Sequence, residues 1–208
     1  MKVYGHPGSI YTRMVLATLA EKGHEAEFVL VDLPTGAHKL PEHLARHPFG
    51  VVPAFEDNDG FSLYESQAII RYLDRKLEGP SLVPSQPRAC AVMEQSISVG
   101  LNYFAPNAFK VIWEKFLKQF MGGGVVDEAV VMAGRQGMEK VFALIDPTLA
   151  RQPFLAGDAV SLADVTWMPF MAYLFPAGEE DTVARYKNVA AWWERTSSRP
   201  AWRKVTGE

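Results

Sequence analysis

Residues 51–73 read VVPAFEDNDGFSLYESQAIIRYL. Two apolar runs, Val51-Val52-Pro53-Ala54-Phe55 and Phe61-Ser62-Leu63, flank the turn Asp57-Asn58-Asp59-Gly60, which is the pattern of a β-hairpin. From about Glu65 to Leu77 the period becomes helical, with Ala68, Ile69, Tyr72 and Leu73 on one face. Upstream, Val3-Tyr4 before Gly5 reads as a short strand. A helix follows over Tyr11–Lys22, with Val15, Leu16, Leu19 and Ala20 as its apolar face, and Gly23 is placed to end it. Phe28-Val29-Leu30-Val31 is a run of β-formers, expected as a buried strand. Between it and the hairpin, Pro34 to Gly50 is polar and punctuated by Pro and Gly. The order is β-α-β-(loop or short helix)-β-β-α, a small mixed sheet with helices.

Downstream, Glu78 to Pro87 is rich in Pro, Gly and Ser and reads as a linker. Strand signals then disappear. Arg88 to about Met121 is helical in pattern, with a bend or break expected at Pro106. After the turn Gly122-Gly123-Gly124, a helix to about Ala150 carries the stripe Met138, Val141, Phe142, Ile145. Ser161-Leu162-Ala163-Asp164 has the spacing of a capping box, and Val160 and Val165 that of a hydrophobic staple. Ala190, Trp192 and Trp193 mark a final helix. The chain is thus expected to be α+β: a mixed domain over 1–77, a linker over 78–87 and an all-helical domain over 88–208.

Composition narrows the function classes. The 208 residues carry a formal charge of −3 without a Lys/Arg stripe, so no nucleic-acid footprint is expected. No run of about 18 uninterrupted apolar residues exists to span a membrane. The first residues lack the apolar segment of a secretory signal. Cys90 is the sole cysteine, which leaves no intrachain disulfide, CxxC pair or thiolate zinc site and fits a reducing cytoplasm. Cys90 itself is expected to be a small core or half-buried residue.

An α/β half followed by an all-α half places the expected ligand site in a cleft between them. In Tyr4-Gly5-His6-Pro7-Gly8-Ser9-Ile10-Tyr11-Thr12-Arg13, a serine follows a Gly/Pro-rich turn and opens a helix. Its hydroxyl sits where backbone N–H groups and the helix dipole favour an anion. By pattern alone, a plain capping serine is the favoured reading. His43 and His47 are spaced i, i+4, as metal ligands can be, but no Glu follows His43 and no third ligand is evident. A solvated face, with no metal, is expected there.

The segments HPGSIYTR (6–13), GAHKLPEHL (36–44), HPFGVVPAFEDND (47–59) and LYESQAIIRYL (63–73) resemble the glutathione transferases, especially the serine-type phi class. The resemblance is dense over residues 2–77. In the helical half it thins to the linker and to Phe154-Leu155-Ala156-Gly157 with Ser161-Leu162-Ala163-Asp164. It implies a thioredoxin-like domain followed by a helical one, and conjugation of glutathione to small hydrophobic electrophiles. It also implies a cytoplasmic homodimer that needs no cofactor beyond glutathione as co-substrate.

On that resemblance Ser9 is the catalytic serine, a donor to sulfur and not a nucleophile, so His6 belongs to the turn and not to a triad. A free thiol has a pKa of about 8.5, and a hydrogen bond to the thiolate lowers it. Val52-Pro53 is implied to be cis, with the Val52 main chain pairing the cysteinyl part of glutathione. Glu65 and Ser66 are implied to receive the γ-glutamyl ammonium and carboxylate, with Ser66 also capping the helix. His38 and Lys39 are implied to meet the glycine carboxylate. Tyr11, Phe109, Trp113 and Phe116 are candidates for the electrophile pocket, although Tyr103, Phe104, Phe109, Trp113, Phe116 and Phe120 are expected to be mostly core. Phe49 matches an aromatic that plugs the partner subunit. The family often has glutamine where Val51 stands, and arginine is common in place of Gln67. The rival readings are a glutathione-dependent peroxidase or reductase, and a non-enzymatic binding protein on the same fold. A disulfide reductase would normally carry cysteine at position 9.

Overall fold

The structure is a computed structural model that describes residues 1–120 and 122–207. Met121 and Glu208, where two of the expected limits fall, lie outside them. The chain divides into two compact units, Met1–Ser81 with Pro200–Glu208, and Leu82–Arg199.

In the first unit, β1 (Lys2–Gly5), α1 (Ile10–Glu21), β2 (Glu27–Leu30), a 3-10 turn (Ala37–Lys39), α2 (Pro41–Leu44), β3 (Ala54–Glu56), β4 (Ser62–Tyr64) and α3 (Ser66–Lys76) follow in order. The sheet order is β2-β1-β3-β4. β1 and β2 are parallel, as expected for two strands joined by a helix, and the other pairs are antiparallel. Phe55 stands opposite Leu63 in the hairpin.

The expectation of a buried second strand is corrected. β2 is a sheet edge, with Phe28 exposed and Leu30 retaining 59% of its surface. Val31, just past the strand, is buried in the core with Tyr4, Val52 and Ala54, and of the strand itself Val29 packs half-buried against that core. A short apolar run has the same pattern at an edge as in a sheet centre, so periodicity could not separate the two. α1 buries Val15 and Leu19 as expected, but Met14, Ala17 and Thr18 complete its inner face while Leu16 and Ala20 stay half-buried. In α3, Ile69, Ile70 and Leu73 form the buried face, and Ala68 is exposed. The last helix, α10 (Pro200–Thr206), belongs to this unit and buries Trp202.

The second unit is helical. α4 (Pro87–Val99) runs through a five-residue π segment, Gly100–Phe104, into α5 (Ala105–Ile112). Pro106 does not break the path. The Ala105 N–H bonds to the Gly100 carbonyl, five residues back, and this wide turn places the proline at the start of the next helix, where its missing N–H is tolerated. Glycine is required at position 100 by packing. A Cβ there would lie 2.3 Å from Nε1 of Trp167, whose N–H donates to the Ser96 carbonyl at 2.9 Å. A second π segment (Trp113–Leu117) and a 3-10 turn (Lys118–Phe120) precede α6 (Glu128–Leu149), α7 (Leu162–Leu174), α8 (Glu180–Ala184) and α9 (Lys187–Ser197).

α7 is buried along nearly its whole length and forms the centre of this unit. Phe104 stacks on Trp167, ring centroids 4.7 Å apart, and also meets Phe142 and Phe170. The expected aromatic core is otherwise corrected: Tyr103, Phe109 and Phe120 are exposed, and Trp113 and Phe116 are half-buried. α5 instead buries Ala105, Ala108, Val111 and Ile112. At Gly134 of α6 an added Cβ would meet the Asn107 carbonyl oxygen at 2.8 Å, so the two helices approach too closely for rings between them. Among the described residues no helix is long and apolar enough to cross a membrane.

Two buried carboxylates tie elements together. Glu179 accepts both Nε and Nη2 of Arg135, at 2.9 and 2.6 Å, together with Lys115 and Thr182. Asp57 accepts Lys76, Tyr72 and the Asn58 N–H. Burial alone would raise both pKa values, but these donors outweigh it and bring each to about 2, from ordinary values of 4.5 and 3.8. The stability they add is therefore full above those ordinary values and is lost as pH falls toward 2. Each contributes on the order of 2–3 kcal/mol. Urea midpoints measured from pH 5 to pH 2.5 are expected to fall, and less steeply in Glu179→Gln. A wild-type midpoint that stays flat would refute the assignment.

Candidate functional site

The register gathers the interesting segments at one end of the sheet. Tyr4, near the end of β1, stands opposite Ala54 at the start of β3, and Ala54 stands opposite Tyr64 at the end of β4. β2, parallel to β1, ends at the same side. The Ser9 turn, Val52-Pro53, Glu65-Ser66 and the strand leading to His38-Lys39 all emerge from that one end.

Ser9 caps α1 in extended backbone (φ −81°, ψ 124°), and its oxygen accepts the Thr12 N–H at 3.2 Å. Capping uses an acceptor lone pair and leaves the hydroxyl proton for donation to a ligand. The turn before it is held from three sides. Ser9 N–H donates to the His6 carbonyl at 2.9 Å, Gly8 N–H to His6 Nδ1 at 3.1 Å, and Arg13 Nε to the Pro7 carbonyl at 2.9 Å. His6 is therefore a turn residue. The first turn of α1 contains no acid to oppose an anion at this end. Tyr11 is exposed at its edge but partly desolvated, and that desolvation, with the Glu65 charge second, raises its phenol pKa.

The Val52–Pro53 bond is cis, and the Val52 side chain lies in the small core with Tyr4, Val31 and Ala54. Just before it, Lys39 Nζ donates to the carbonyls of Phe49 (3.2 Å) and Gly50 (2.8 Å). Lys39 is thus partly committed to the fold, with one of its three protons remaining. His38 is half-buried, and its pKa is lowered by burial and then by the Lys39 and His43 charges. Phe49 is 69% exposed, and its ring meets Tyr64 edge-on.

The solvated face expected for His43 and His47 is corrected. The two are 4% and 1% exposed, because α2 and the turn after it fold against the 50–51 segment. His43 Nε2 bonds to the Val51 carbonyl at 2.8 Å. His47 stacks on His43 and packs against Tyr64 at 5.0 Å. Burial lowers the His47 pKa, with the Glu65 charge opposing it. Among the described residues no group of three or more His, Cys, Asp and Glu could hold a metal.

Glu65, not Ser66, is the N-cap residue of α3, and its side chain makes no capping bond. Ser66 is the first helical residue and is buried. Glu65 is the one non-glycine residue with positive φ among those described (71°, ψ 110°). That conformation costs on the order of 1–3 kcal/mol and persists where the surroundings or a function demand it. It projects an exposed carboxylate beside a helix N-terminus with no side-chain cap.

In the second unit Phe109 stacks on Trp113 at 6.2 Å, and Phe116 packs against Phe120 and Tyr173. Phe109 is 43% exposed, so the stack presents an aromatic surface. Cys90 is half-buried in the first turn of α4.

Similarity to known proteins agrees with this arrangement. The family described as glutathione S-transferase, N-terminal domain, matches residues 1–75, and the family described as glutathione S-transferase, C-terminal domain, matches residues 104–200. The chain therefore belongs to the glutathione S-transferase family and is a transferase enzyme of that family. Glutathione S-transferase 3 of Zea mays is 39% identical over 209 residues, spanning 99% of this chain and 92% of the relative. The crystal structure of glutathione transferase F7 from Populus trichocarpa superposes with a TM-score of 0.93 at 33% identity, over 99% of this chain and 97% of that one. Glutathione S-transferase I from mais, solved with an atrazine glutathione conjugate, gives a TM-score of 0.91 at 32% identity, over 99% and 96%.

Proposed function

We propose that this transferase holds glutathione across the sheet end described above and stabilises its thiolate through Ser9, for attack on a small hydrophobic electrophile. The observation that carries the reading is the register, which brings the four candidate binding segments to one end of a single sheet. Ser9 donates its remaining proton to sulfur at the positive end of α1. The Val52 main chain pairs the cysteinyl unit in the manner of an added strand. The N-terminus of α3, with Ser66, receives the γ-glutamyl carboxylate, and the Glu65 carboxylate pairs the ammonium. His38 and the uncommitted Lys39 proton meet the glycine carboxylate. Residues 1–77 thus form the glutathione-binding domain and 78–87 the linker. In the helical domain, 88–208 less the α10 helix that belongs to the first unit, Phe109, Trp113 and Phe116 are the candidate electrophile surface, and Tyr11 is a separate candidate in the first domain. Exposed Phe49 is the docking residue of a homodimer, and the site of action is the cytoplasm. Bringing thiolate and electrophile together supplies the remaining rate enhancement.

The test is a titration of bound glutathione by thiolate absorbance across pH, with Ser9→Ala in parallel. The wild-type thiol should ionise well below its free pKa, and Ser9→Ala should raise the bound value by about one unit, or about 1.4 kcal/mol. Equal ionisation in both proteins would remove Ser9 from the chemistry.

A further inference from the structure

The segment that delivers Val52 to the site is fastened at three consecutive residues, and no candidate role accounts for the last fastening. Lys39 Nζ takes the carbonyls of Phe49 and Gly50. Gly50, with φ +58°, lies so close to the 38–39 turn that a Cβ would stand 2.9 Å from the His38 carbonyl oxygen. His43 then takes the Val51 carbonyl at 2.8 Å. A carbonyl only accepts, so Nε2 must carry the hydrogen. Nδ1 of the same ring is buried with no protein partner, an arrangement that adds nothing to stability by itself.

The Val51 carbonyl and the Val52 N–H belong to one peptide group. Orienting one orients the other, because the peptide is planar. The Val51 side chain is exposed and the Val52 side chain is anchored in the core, so the plane between them has its side-chain restraint on one side only. The hydrogen bond from His43 supplies the other. The ring is itself held, since His47 stacks on it and Tyr64, the residue before Glu65, packs on His47.

We propose that His43 is a positioning residue for the cysteinyl part of glutathione: by fixing the Val51–Val52 peptide plane it sets the direction of the Val52 N–H that the ligand pairs with. This rests on the glutathione reading above. His43 touches no substrate and leaves the thiol chemistry to Ser9.

Two substitutions of similar polarity separate this role from a general one. Glutamine can place an amide N–H where Nε2 stands, whereas asparagine reaches only the Nδ1 position. Steady-state kinetics are measured for wild type, His43→Gln and His43→Asn, with glutathione and with γ-glutamylcysteine, which lacks the glycine carboxylate. His43→Asn should raise the KM for glutathione about tenfold, the worth of one hydrogen bond, with kcat and the KM for the electrophile unchanged. The same rise should appear with γ-glutamylcysteine, and His43→Gln should stay within about twofold of wild type. The proposal is overturned by an unchanged KM in His43→Asn, by equal impairment in His43→Gln, or by a rise that vanishes with γ-glutamylcysteine. It is equally overturned if kcat falls as KM rises, or if His43→Asn fails to fold while His43→Gln folds, since the ring is then a fold element. Failure of wild type to bind glutathione would instead bring down the reading on which the proposal rests.

Discussion

Asp164→Ala is expected to destabilise the helical unit by about 3–5 kcal/mol, a large share of the 5–15 kcal/mol that holds a typical native protein. Asp164 is fully buried, and its two oxygens accept four donors: Leu155 N–H and Trp192 Nε1–H on one, Ser161 N–H and Ser161 Oγ on the other, all at 2.8–2.9 Å. Burial pushes its pKa up, and the four donors oppose that rise. One side chain thereby caps α7, fastens the 154–157 turn and anchors α9. Alanine would strand three buried N–H groups, each costing about 1–3 kcal/mol when unpaired. Asp164→Asn should be little better, because its amide turns two hydrogens toward donors. Urea unfolding followed by tryptophan fluorescence measures this, and a loss under about 1 kcal/mol would show that the network is dispensable.

The second large effect lies in the first unit. The Lys22 ammonium is buried, its side chain only 2% exposed, against the Asp74 carboxylate (3.3 Å) and the carbonyls of Asp74 (2.9 Å) and Pro80 (3.1 Å). Lys22→Met should cost about 3–5 kcal/mol, because it removes the cation buried against the Asp74 carboxylate and the donor shared by two carbonyls. Lys22→Met with Asp74→Leu should recover much of the loss, since a buried ion pair is roughly exchangeable with apolar groups of similar volume. A double-mutant cycle with a coupling below about 1 kcal/mol would mean that the pair does not act as a unit. The pair has a bearing on the site. Lys22 ends the helix that Ser9 begins, and Asp74 lies near the end of the helix that Glu65 begins. Clamping the far ends of α1 and α3 fixes the spacing of the N-termini to which the thiolate and the γ-glutamyl carboxylate are assigned.

The two corrected histidines show how far local pattern reaches. Their i, i+4 spacing was visible and favoured a solvated face over a metal pair, and nothing local marks the burial that the structure gives them. The deciding fact is which segment folds over them, and the 50–51 turn does. Lys39 is similar: a basic residue in a polar loop gives no sign that it will hold two carbonyls ten and eleven residues away. Glu65 reads as an acid beside a helix start, and nothing in Tyr64-Glu65-Ser66 announces left-handed backbone.

By itself, the sequence determined what is decided within about four residues along the chain: helix periods, the Asp57–Gly60 hairpin turn, Ser9 as a cap and the Ser161–Asp164 box. Dihedral preference and short-range hydrogen bonding act at that range and are written in residue order. Tertiary structure alone decided that β2 is an edge, that α10 joins the first unit, that α5 turns alanines inward and rings outward, and that His43 and Lys39 grip the non-regular segment leading to Val52. Burial and long-range pairing are properties of the surface a residue meets, and that surface is assembled from distant parts of the chain.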